Sequence, residues 1–267
     1  MISLIIPTYK NPECLDICLK SAVENQVNQN EIIVIVDGFV EQSIEVLNKY
    51  PDTVKALKLN KNSGMQMALN LGVFNACYER ICIINDDNVL CKDWDVIIEK
   101  HLQPNEIVTI NQIEPTGPGI FNFPVKDFGK TPKEFDYQGF IEYEPTIRKE
   151  ETTEDGGIFP FAMWKKDYMI VGGFDTLYKS PFICDWDFFL KLELNGKIFK
   201  RINDAHFYHF GSIATKNRTD GDEIAFKESE QPAANTFMYK WGMIPKLYKN
   251  NSHNPKNGEI IKGIKYE

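Results

Sequence analysis

The first hundred residues alternate between short apolar runs and longer segments in which apolar residues recur every three or four positions. The short runs predict four β-strands, at 2–7, 31–38, 53–59 and 81–84. The longer segments predict three helices between them, at 12–26, 40–50 and 64–78. Apolar strands that alternate with helices are typical of a mostly parallel sheet covered by helices on both faces. The pattern therefore predicts an α/β fold.

The alternation stops after residue 103. Residues 104–157 are rich in proline, glycine and aromatic side chains, which indicates long loops and short strands that lie over a site. A poorly ordered insertion is the alternative, but disordered segments contain few aromatic residues. The aromatic residues of this region are Phe121, Phe123, Phe128, Phe135, Tyr137, Phe140 and Tyr143.

Regular patterns return in the last third of the chain. An amphipathic pattern that ends on Asn-Gly predicts a helix over 185–196, and a strand follows over 197–202, before the aromatic stretch 204–212. From about residue 222 the pattern is helical, and residues 240–267 hold six lysines against two glutamates. This basic tail either rests on an anionic membrane or is a solvated tail.

Composition and charge narrow the classes of function. The 267 residues are 43% hydrophobic and 25% charged, with a net charge of -8, so a nucleic-acid binder is not expected. The Gly-Lys-Thr at 129–131 lacks the glycine that a P-loop needs, since Pro124 stands there. No G-x-G-x-x-G follows a predicted strand, which argues against a dinucleotide oxidoreductase.

The sequence also bears on where in the cell the protein is expected. No signal peptide is visible, and no apolar run reaches the roughly 20 residues of a membrane helix. The six cysteines form no C-x-x-C pair, and we expect buried free thiols in a reducing compartment. Cys77 and Cys82 lie in apolar contexts. These features predict a cytoplasmic protein.

Polar residues stand at the ends of three predicted strands. The first strand ends on Pro7, Thr8 and Tyr9, the second on Asp37, and the fourth on Asn85-Asp86-Asp87. Parallel strands share a direction, so these ends are expected at one edge of the sheet, where ligands bind in such folds.

The two adjacent carboxylates at the fourth strand end have different expected directions. Neighbouring residues of an extended chain point to opposite sides, whereas Asn85 and Asp87 share a face. One of the two aspartates should therefore face inward and the other the site. Such oxygen ligands suit Mg²⁺ or Mn²⁺ that already carries phosphate. The alternative is a turn that caps a helix near Asp93.

The segment N-S-G-M-Q-M-A-L-N-L-G at 62–72 follows the third strand. Asn62 or Ser63 can cap the helix, Gly64 permits close approach, and a helix N-terminus is a ready phosphate site. The spacing alone is weak evidence. Its place between the third strand and the acidic strand end strengthens it.

Seven motifs together resemble the family-two glycosyltransferases of the GT-A fold. In chain order they are SLIIPTYK, IIVIVDGF, NSGMQMALNLG, IINDDNVL, VGGFD, DWDFFLKLELNG and YHFGS, and they span about 2–212. The resemblance implies a mostly parallel, Rossmann-like sheet in three parts. These are a nucleotide-sugar-binding half at 1–103, an acceptor-binding and catalytic half at 104–215, and a C-terminal helical extension with a basic tail at 216–267.

The resemblance also implies roles for single residues. Base and ribose would be held by Pro7, Thr8, Tyr9 and Asp37. The donor segment is matched by Asn62, Gly64, Ala68, Asn70 and Gly72. The D-x-D motif falls on Asn85, Asp86 and Asp87, with Asp87 as the metal ligand. Asp185 would be the catalytic base, with Asp187 as a nearby like charge that raises its pKa. His209 would join the metal, although by itself a histidine in an aromatic strand is usually a core residue.

Three residues depart from the family pattern. Asn85 stands where the motif has its first aspartate, Cys184 where a glutamate precedes the base, and Leu69 where an arginine often precedes the second asparagine. Each removes a charge near the diphosphate or the base. Trp164 and Trp186 could stack on sugars or belong to the core.

The implied reaction is an inverting transfer of a sugar from a nucleoside diphosphate donor, with UDP favoured. The acceptor would be a hydroxyl of a glycan, a glycolipid or a protein-linked sugar, and the cofactor Mn²⁺ or Mg²⁺. Two alternatives remain open: a catalytically impaired nucleotide- or sugar-binding relative, and a nucleotidyltransferase, for which the Gly/Arg/Lys-rich loop after the first strand is missing.

Overall fold

The computed structural model describes residues 1–117, 123–153, 157–211 and 228–244, and the backbone pairing of 259–260. The strands are β1 Ser3–Thr8, β2 Glu31–Asp37, β3 Val54–Leu59, β4 Arg80–Ile83, β5 Asn88–Val89, β6 Glu106–Ile113, β7 Lys149–Thr153, β8 Phe161–Trp164, β9 Ile198–His209, β10 Met243–Ile244 and β11 Glu259–Ile260. The helices are α1 Pro12–Glu24, α2 Val40–Leu47, α3 Met65–Phe74, α4 Trp94–His101, α5 Tyr137–Tyr143, α6 Lys165–Ile170, α7 Cys184–Leu194 and α8 Glu230–Trp241, with a 3₁₀ turn at Glu144–Ile147.

Nine of the strands in the described ranges form one sheet. Its order is β3-β2-β1-β4-β8-β6-β9-β5, and β7 pairs with β9. The pairs from β3 through β4 are parallel, as the apolar runs predicted. In the second half, β6 and β9 are parallel to each other, whereas β8, β5 and β7 run antiparallel to their neighbours. The predicted α/β class is therefore confirmed, with a mixed second half.

The core lies on both faces of this sheet because each strand sends alternate side chains to opposite sides. On β1, Leu4 and Ile6 pack on the face that α1 covers, and Ile5 packs on the face that α3 covers. All three are fully buried. Burial on both faces explains why these strands are continuous apolar runs.

The prediction of loops and short strands for 104–157 was wrong in two places, since residues 137–147 form α5 and its 3₁₀ turn and the first part forms a long strand. Residues 106–113 form an eight-residue interior strand. Buried polar side chains interrupt its apolar pattern, so the sequence did not predict it as a strand. Each of these side chains makes a hydrogen bond within the fold. Asn111 Nδ2 donates to Asn203 Oδ1 over 2.8 Å, and Gln112 Nε2 donates to Phe159 O over 3.0 Å.

Five of the six cysteines are buried free thiols, as expected, but Cys77 is exposed. It follows the end of α3, so the apolar residues around it belong to the helix rather than to its own surroundings. In the C-terminal part, the predicted helical region is described at 230–241. Most of the basic tail, like Phe121, lies outside the described residues. Within the described ranges, none of the helices combines the length and the apolar character that crossing a bilayer requires.

Candidate functional site

The ends of β1 and β4 are joined by a buried carboxylate. Asp86 accepts a hydrogen bond from Thr8 Oγ1 over 2.6 Å and another from Asn11 Nδ2 over 3.1 Å. The two strand ends therefore meet at one sheet edge, as their parallel pairing requires. Asp86 is the inward-facing member of the acidic pair.

The surroundings of Asp86 affect its charge. Burial raises the pKa of Asp86, the neighbouring charge of Asp87 raises it further, and hydrogen bonds from Thr8 and Asn11 oppose both effects, which leaves the pKa at about 7. A carboxyl group with both oxygens bonded to its own fold is suited to holding the strand ends together. Asn11, which precedes α1, was not among the residues singled out from the sequence.

Asp87 faces His209 from the neighbouring strand. β5 and β9 are antiparallel, with Asn88 opposite His209, so the two side chains come together. His209 Nε2 lies 3.5 Å from Asp87 Oδ2, and His209 Nδ1 lies 2.9 Å from Glu114 Oε1. Burial lowers the pKa of His209, but Asp87 and Glu114 outweigh it and raise the pKa to about 10.

This arrangement fits a divalent cation. Within the parts of the chain that the structure describes, no three acidic, histidine or cysteine side chains form a complete metal cage. An aspartate and a histidine that face each other can still supply two ligands to a cation that takes the rest from phosphate and water. Glu114 holds the other ring nitrogen, which is the usual outer partner of a metal-bound histidine. Sequence reasoning missed Glu114 because β6 itself was missed.

The alternative of a helix-capping turn is not supported. Asp93 stands at the N-cap of α4 in a left-handed conformation and makes no side-chain cap to that helix. The acidic pair lies in a turn that Asn88 N–H closes by donating to Asn85 O over 3.3 Å, ahead of β5. The run of Asp86 and Asp87 therefore belongs to the sheet edge.

Asp37 binds the turn between β3 and α3. Its two oxygens accept hydrogen bonds from the backbone N–H groups of Ser63, over 2.6 Å, and Gly64, over 2.9 Å. Burial raises the pKa of Asp37, while these two bonds lower it. A carboxylate has about four acceptor positions, so both oxygens keep capacity for a ribose hydroxyl.

The backbone explains why glycine stands at position 38, after β2, and at position 64, in this turn. Gly38 has φ +79°, and a Cβ there would lie 2.9 Å from the backbone nitrogen of Asn62. Gly64 has φ +93° and is the N-cap of α3. Neither Asn62 nor Ser63 caps the helix, contrary to expectation. Asn62 Oδ1 instead accepts a bond from Gly64 N–H over 3.1 Å.

Asn70 does not point at the donor side of the sheet edge. Its amide donates to Phe174 O over 2.8 Å, and its oxygen accepts from Phe174 N over 2.9 Å and from Tyr168 Oη over 2.7 Å. The close approach of Gly173 to the same amide leaves no space for a side chain there. Asn70 thus holds the loop that leads toward α7, so we correct its expected role from binding the donor to positioning this loop.

Asp185 lies in the first turn of α7 and is half-buried. Its Oδ1 accepts a bond from Trp186 N over 2.9 Å. The expectation that Asp187 adds a like charge beside it was wrong. Asp187 is fully buried and pairs with Lys240 Nζ at 2.8 Å, so its charge is compensated on the inner side of the helix.

Two of the departures from the family pattern are buried. Leu69 packs in the core beneath the sheet, and the thiol of Cys184 donates to Pro181 O over 3.2 Å. Trp186 is also a core residue. Trp164 is opposite Arg80, at the start of β4, so it lies at the far edge of the sheet from the acidic pair.

A cavity of about 310 Å³ opens between the start of α3 and the loop before α7. Its lining residues are Asn62, Ser63, Gly64, Gln66, Met67, Thr176, Tyr178 and Lys179. It therefore joins the segment expected to bind the donor to the loop that leads to Asp185. Lys179 brings a positive charge to this cavity. Leu69 stands where the family pattern often has an arginine, and it brings no charge.

The strand ends also carry an aromatic cluster. Tyr9 and Phe39 meet edge to face, with ring centroids 5.4 Å apart. The Lys10 ammonium lies 4.1 Å from the centroid of Phe39. Pro7 and Thr8 immediately precede this cluster on β1. Phe39, half of whose surface is exposed, was not singled out from the sequence because it follows the strand that ends on Asp37.

The profile of the family described as Glycosyl transferase family 2 matches residues 3–170. The chain belongs to this family. The match covers β1 through α6, and thus the strand ends, the acidic pair and the donor segment. The resemblance found in the motifs is confirmed.

Curated relatives are similar over parts of their length. Chondroitin synthase of Pasteurella multocida is 30% identical over 246 residues, which cover 89% of this chain and 22% of that protein. Cholesterol galactosyltransferase of Borreliella burgdorferi is 28% identical over 114 residues, covering 42% of this chain and 32% of that protein. An uncharacterized glycosyltransferase of Haemophilus influenzae is matched over 62% of its length. The chain thus spans less than two thirds of the length of each of these relatives.

Solved structures show the same fold. Staphylococcus aureus TarS 1-349 in complex with UDP aligns with a TM-score of 0.57 at 17% identity, over 89% of this chain and 72% of that one. GalNAc-T7 with UDP, GalNAc and Mn²⁺ aligns with a TM-score of 0.59 at 13% identity, over 78% of this chain and 43% of that one. The GT-A fold of this family 2 member is therefore confirmed.

Proposed function

We propose that this protein transfers a sugar, with inversion, from a nucleoside diphosphate sugar to an acceptor hydroxyl in glycan or polysaccharide synthesis. The observation that carries the proposal is the pair of Asp87 and His209, which face each other at the sheet edge where β1, β2 and β4 end. Family membership and the names of the glycosyltransferase relatives support it.

The donor would lie across the strand ends. Pro7, Thr8, Tyr9 and Asp37 are proposed to hold the base and ribose, because they converge where Asp37 binds the turn before α3. Asn62, Gly64 and Lys179 line the adjoining cavity, where the diphosphate and sugar would be placed. UDP is favoured because both solved neighbours named above contain it.

Asp87 and His209 would hold Mn²⁺ or Mg²⁺. A bound cation supplies Lewis-acid stabilisation of the charge that gathers on the leaving diphosphate. The chain's own part is to fix the ligands: Glu114 bonds to His209 Nδ1 at 2.9 Å and so directs Nε2 toward Asp87. Asn85, which precedes the pair, would contribute a neutral oxygen.

Asp185 is proposed as the base. The acceptor oxygen would attack the anomeric carbon while the bond from that carbon to the diphosphate oxygen breaks. The acceptor proton passes to the Asp185 carboxylate, and the leaving diphosphate takes the electron pair. One base and no covalent intermediate give inversion at the anomeric carbon. A positioned base of this kind contributes about 10² to 10⁴-fold.

The test compares wild type with Asp185→Asn. UDP release from a panel of UDP-sugars is measured in the presence of a panel of glycan acceptors with free hydroxyls, together with the dissociation constant for UDP. We expect the variant to lose roughly a hundredfold or more in turnover and to bind UDP as wild type does. Equal turnover in the two proteins would contradict the role of Asp185.

A catalytically impaired relative is the second candidate function. It is favoured by Leu69 and Cys184, which bury apolar or thiol groups where the family pattern has charges. This candidate predicts that UDP binds to both proteins and that neither wild type nor Asp185→Asn turns over any UDP-sugar. The same experiment therefore separates the two candidates.

A further inference from the structure

Helix α8, the last helix of the described ranges, contacts the helix that carries Asp185. Ala233 and Phe237 of α8 are buried, and they belong to the same core cluster as Phe188 and Phe189 of α7. Burial of these apolar side chains in a shared cluster favours the packing of α8 on this side of the sheet. Polar contacts near the two ends of α8 connect it to the residues around Asp185.

Asp187 collects donors from two directions. Its Oδ1 lies 2.8 Å from Trp241 Nε1 and 2.8 Å from Lys240 Nζ, both at the end of α8. Tyr178 Oη, from the loop before α7, donates to the same oxygen over 3.3 Å. Asp187 is fully buried and stands two residues after Asp185 in the first turn of α7.

Lys240 extends this connection to the loop. Its ammonium also lies 2.6 Å from Asp175 Oδ2, so one side chain joins the loop before α7 to the helix itself. Near the other end of α8, Ser229 Oγ donates to Ser180 Oγ over 2.7 Å. The stretch from residue 175 to residue 187, which contains Asp185, is thus tied to α8 at three residues.

The charges at this junction balance. Asp175 and Asp187 are matched by Lys240 and by Lys191, whose ammonium lies 3.7 Å from Asp187 Oδ2. Burial lowers the pKa of Lys240, but the two aspartates outweigh it and raise the pKa, so the ammonium stays charged. Removing one partner of a buried pair leaves an uncompensated charge, which makes each partner sensitive to substitution.

We propose that Asp187, Lys240 and Trp241 are positioning residues that hold the first turn of α7, so that the Asp185 carboxylate faces the acceptor hydroxyl. The proposal rests on the proposed function, which makes Asp185 the base. None of the three needs to touch the substrates. They act by fixing the backbone from which Asp185 projects.

The test uses Trp241→Phe, which keeps an aromatic ring and removes the N–H, and Lys240→Met, which removes the charge. Lys240→Arg is the conservative variant, and Tyr239→Phe is the matched control, because Tyr239 lies on the same helix with 82% of its surface exposed. For each protein the turnover number and KM for UDP release are measured, with the dissociation constant for UDP and amide hydrogen exchange across the chain.

We expect Trp241→Phe and Lys240→Met to lower the turnover number about tenfold while KM and UDP affinity stay near wild type. Amide exchange should accelerate in residues 175–188 and stay unchanged in β1 through β4. Lys240→Arg should recover turnover, and Tyr239→Phe should match wild type in every measurement. Unchanged turnover and unchanged exchange in both variants would overturn the proposal, as would acceleration spread evenly over the chain.

Failure of the proposed function gives a different result. If Asp185→Asn keeps wild-type turnover while Trp241→Phe loses it, the base is wrong but the helix start still matters. If no protein, wild type included, turns over a UDP-sugar, amide exchange alone tests whether α8 holds the first turn of α7. Faster exchange confined to 175–188 then supports the positioning of α7, and its absence contradicts it.

Discussion

Two adjacent aspartates do different work because their side chains face opposite ways. Asp86 is bonded to Thr8 and Asn11 and holds two strand ends together. Asp87 faces His209, whose other nitrogen is taken by Glu114. The two aspartates lie in the turn between β4 and β5, where Asn88 N–H donates to Asn85 O over 3.3 Å. This turn separates a structural carboxylate from the one proposed to bind a cation.

Glu114 is predicted to set the direction of His209. Glu114→Ala should weaken Mn²⁺ binding in the presence of UDP by about tenfold, since outer partners of metal-bound histidines typically contribute 10 to 100-fold. Glu114→Gln keeps an acceptor oxygen and should lose less. Calorimetric titration of Mn²⁺ into the UDP-saturated protein measures both. Wild-type affinity in Glu114→Ala would show that His209 does not depend on this bond.

Loops are tied to helices by single buried carboxylates at several places in the fold. Asp95 of α4 accepts bonds from Val27 N over 2.9 Å and from Asn28 N over 2.8 Å, in the loop that leads into β2. Asn30 Nδ2 adds a third bond, over 2.8 Å. This junction fixes the start of β2, the strand whose other end carries Asp37.

Asp95→Asn should therefore lower the free energy of unfolding by about 1–3 kcal/mol, because the amide cannot accept all three bonds. Burial acts to raise the pKa of Asp95, but the bonds from Val27, Asn28 and Asn30 hold it below its ordinary value of 3.8. Stability linked to a lowered pKa is present above the ordinary value and is lost as the pH falls through the folded-state pKa.

The difference between wild type and Asp95→Asn should thus be full near pH 7 and should shrink as the pH falls below 3.8. Urea unfolding at a series of pH values measures it. The control is Asp93→Asn, at an exposed neighbour in the left-handed region, where asparagine is well tolerated. A difference that stays constant down to acid pH would contradict the role of the ionised carboxylate.

For the molecule as a whole, the question is how an acidic protein binds an anionic donor. The net charge is -8, so attraction must come from local positive charge or from a cation. Lys179 lines the cavity beside Asn62 and Gly64, and Asp87 faces a histidine that the surrounding carboxylates keep protonated in the absence of a metal. We therefore expect donor binding to depend on a few positive groups rather than on overall charge.

Lys179→Met is predicted to weaken UDP binding about fivefold, since one exposed charge near a phosphate contributes about 1 kcal/mol. The loss should shrink at high salt, because screening already weakens the wild-type interaction. Calorimetry at two salt concentrations measures both effects. Lys58→Met, on the exposed edge strand β3, is the control for the change in net charge. Equal losses in the two variants would contradict a local role for Lys179.

The sequence predicted the first half of the fold and the convergence of its strand ends. Period and strand direction were sufficient there, because β1 through β4 are continuous apolar runs. It did not predict β6, whose buried Asn111 and Gln112 are satisfied by partners far along the chain. For the same reason Glu114 was missed. Asn70 and Asp187 were assigned to the site from motifs, whereas tertiary hydrogen bonds turn both toward the protein interior.

The most direct test of the central claim is calorimetric titration of UDP into the protein with Mn²⁺ and with a chelator, for wild type, Asp87→Ala and the exposed control Asp52→Ala. We predict binding by wild type and Asp52→Ala that weakens by at least about tenfold when Mn²⁺ is removed, and equally weak binding by Asp87→Ala in both conditions. UDP affinity that changes neither on removal of Mn²⁺ nor in Asp87→Ala would contradict the claim that this sheet edge is a metal-dependent donor site. The absence of UDP binding by wild type would also contradict it.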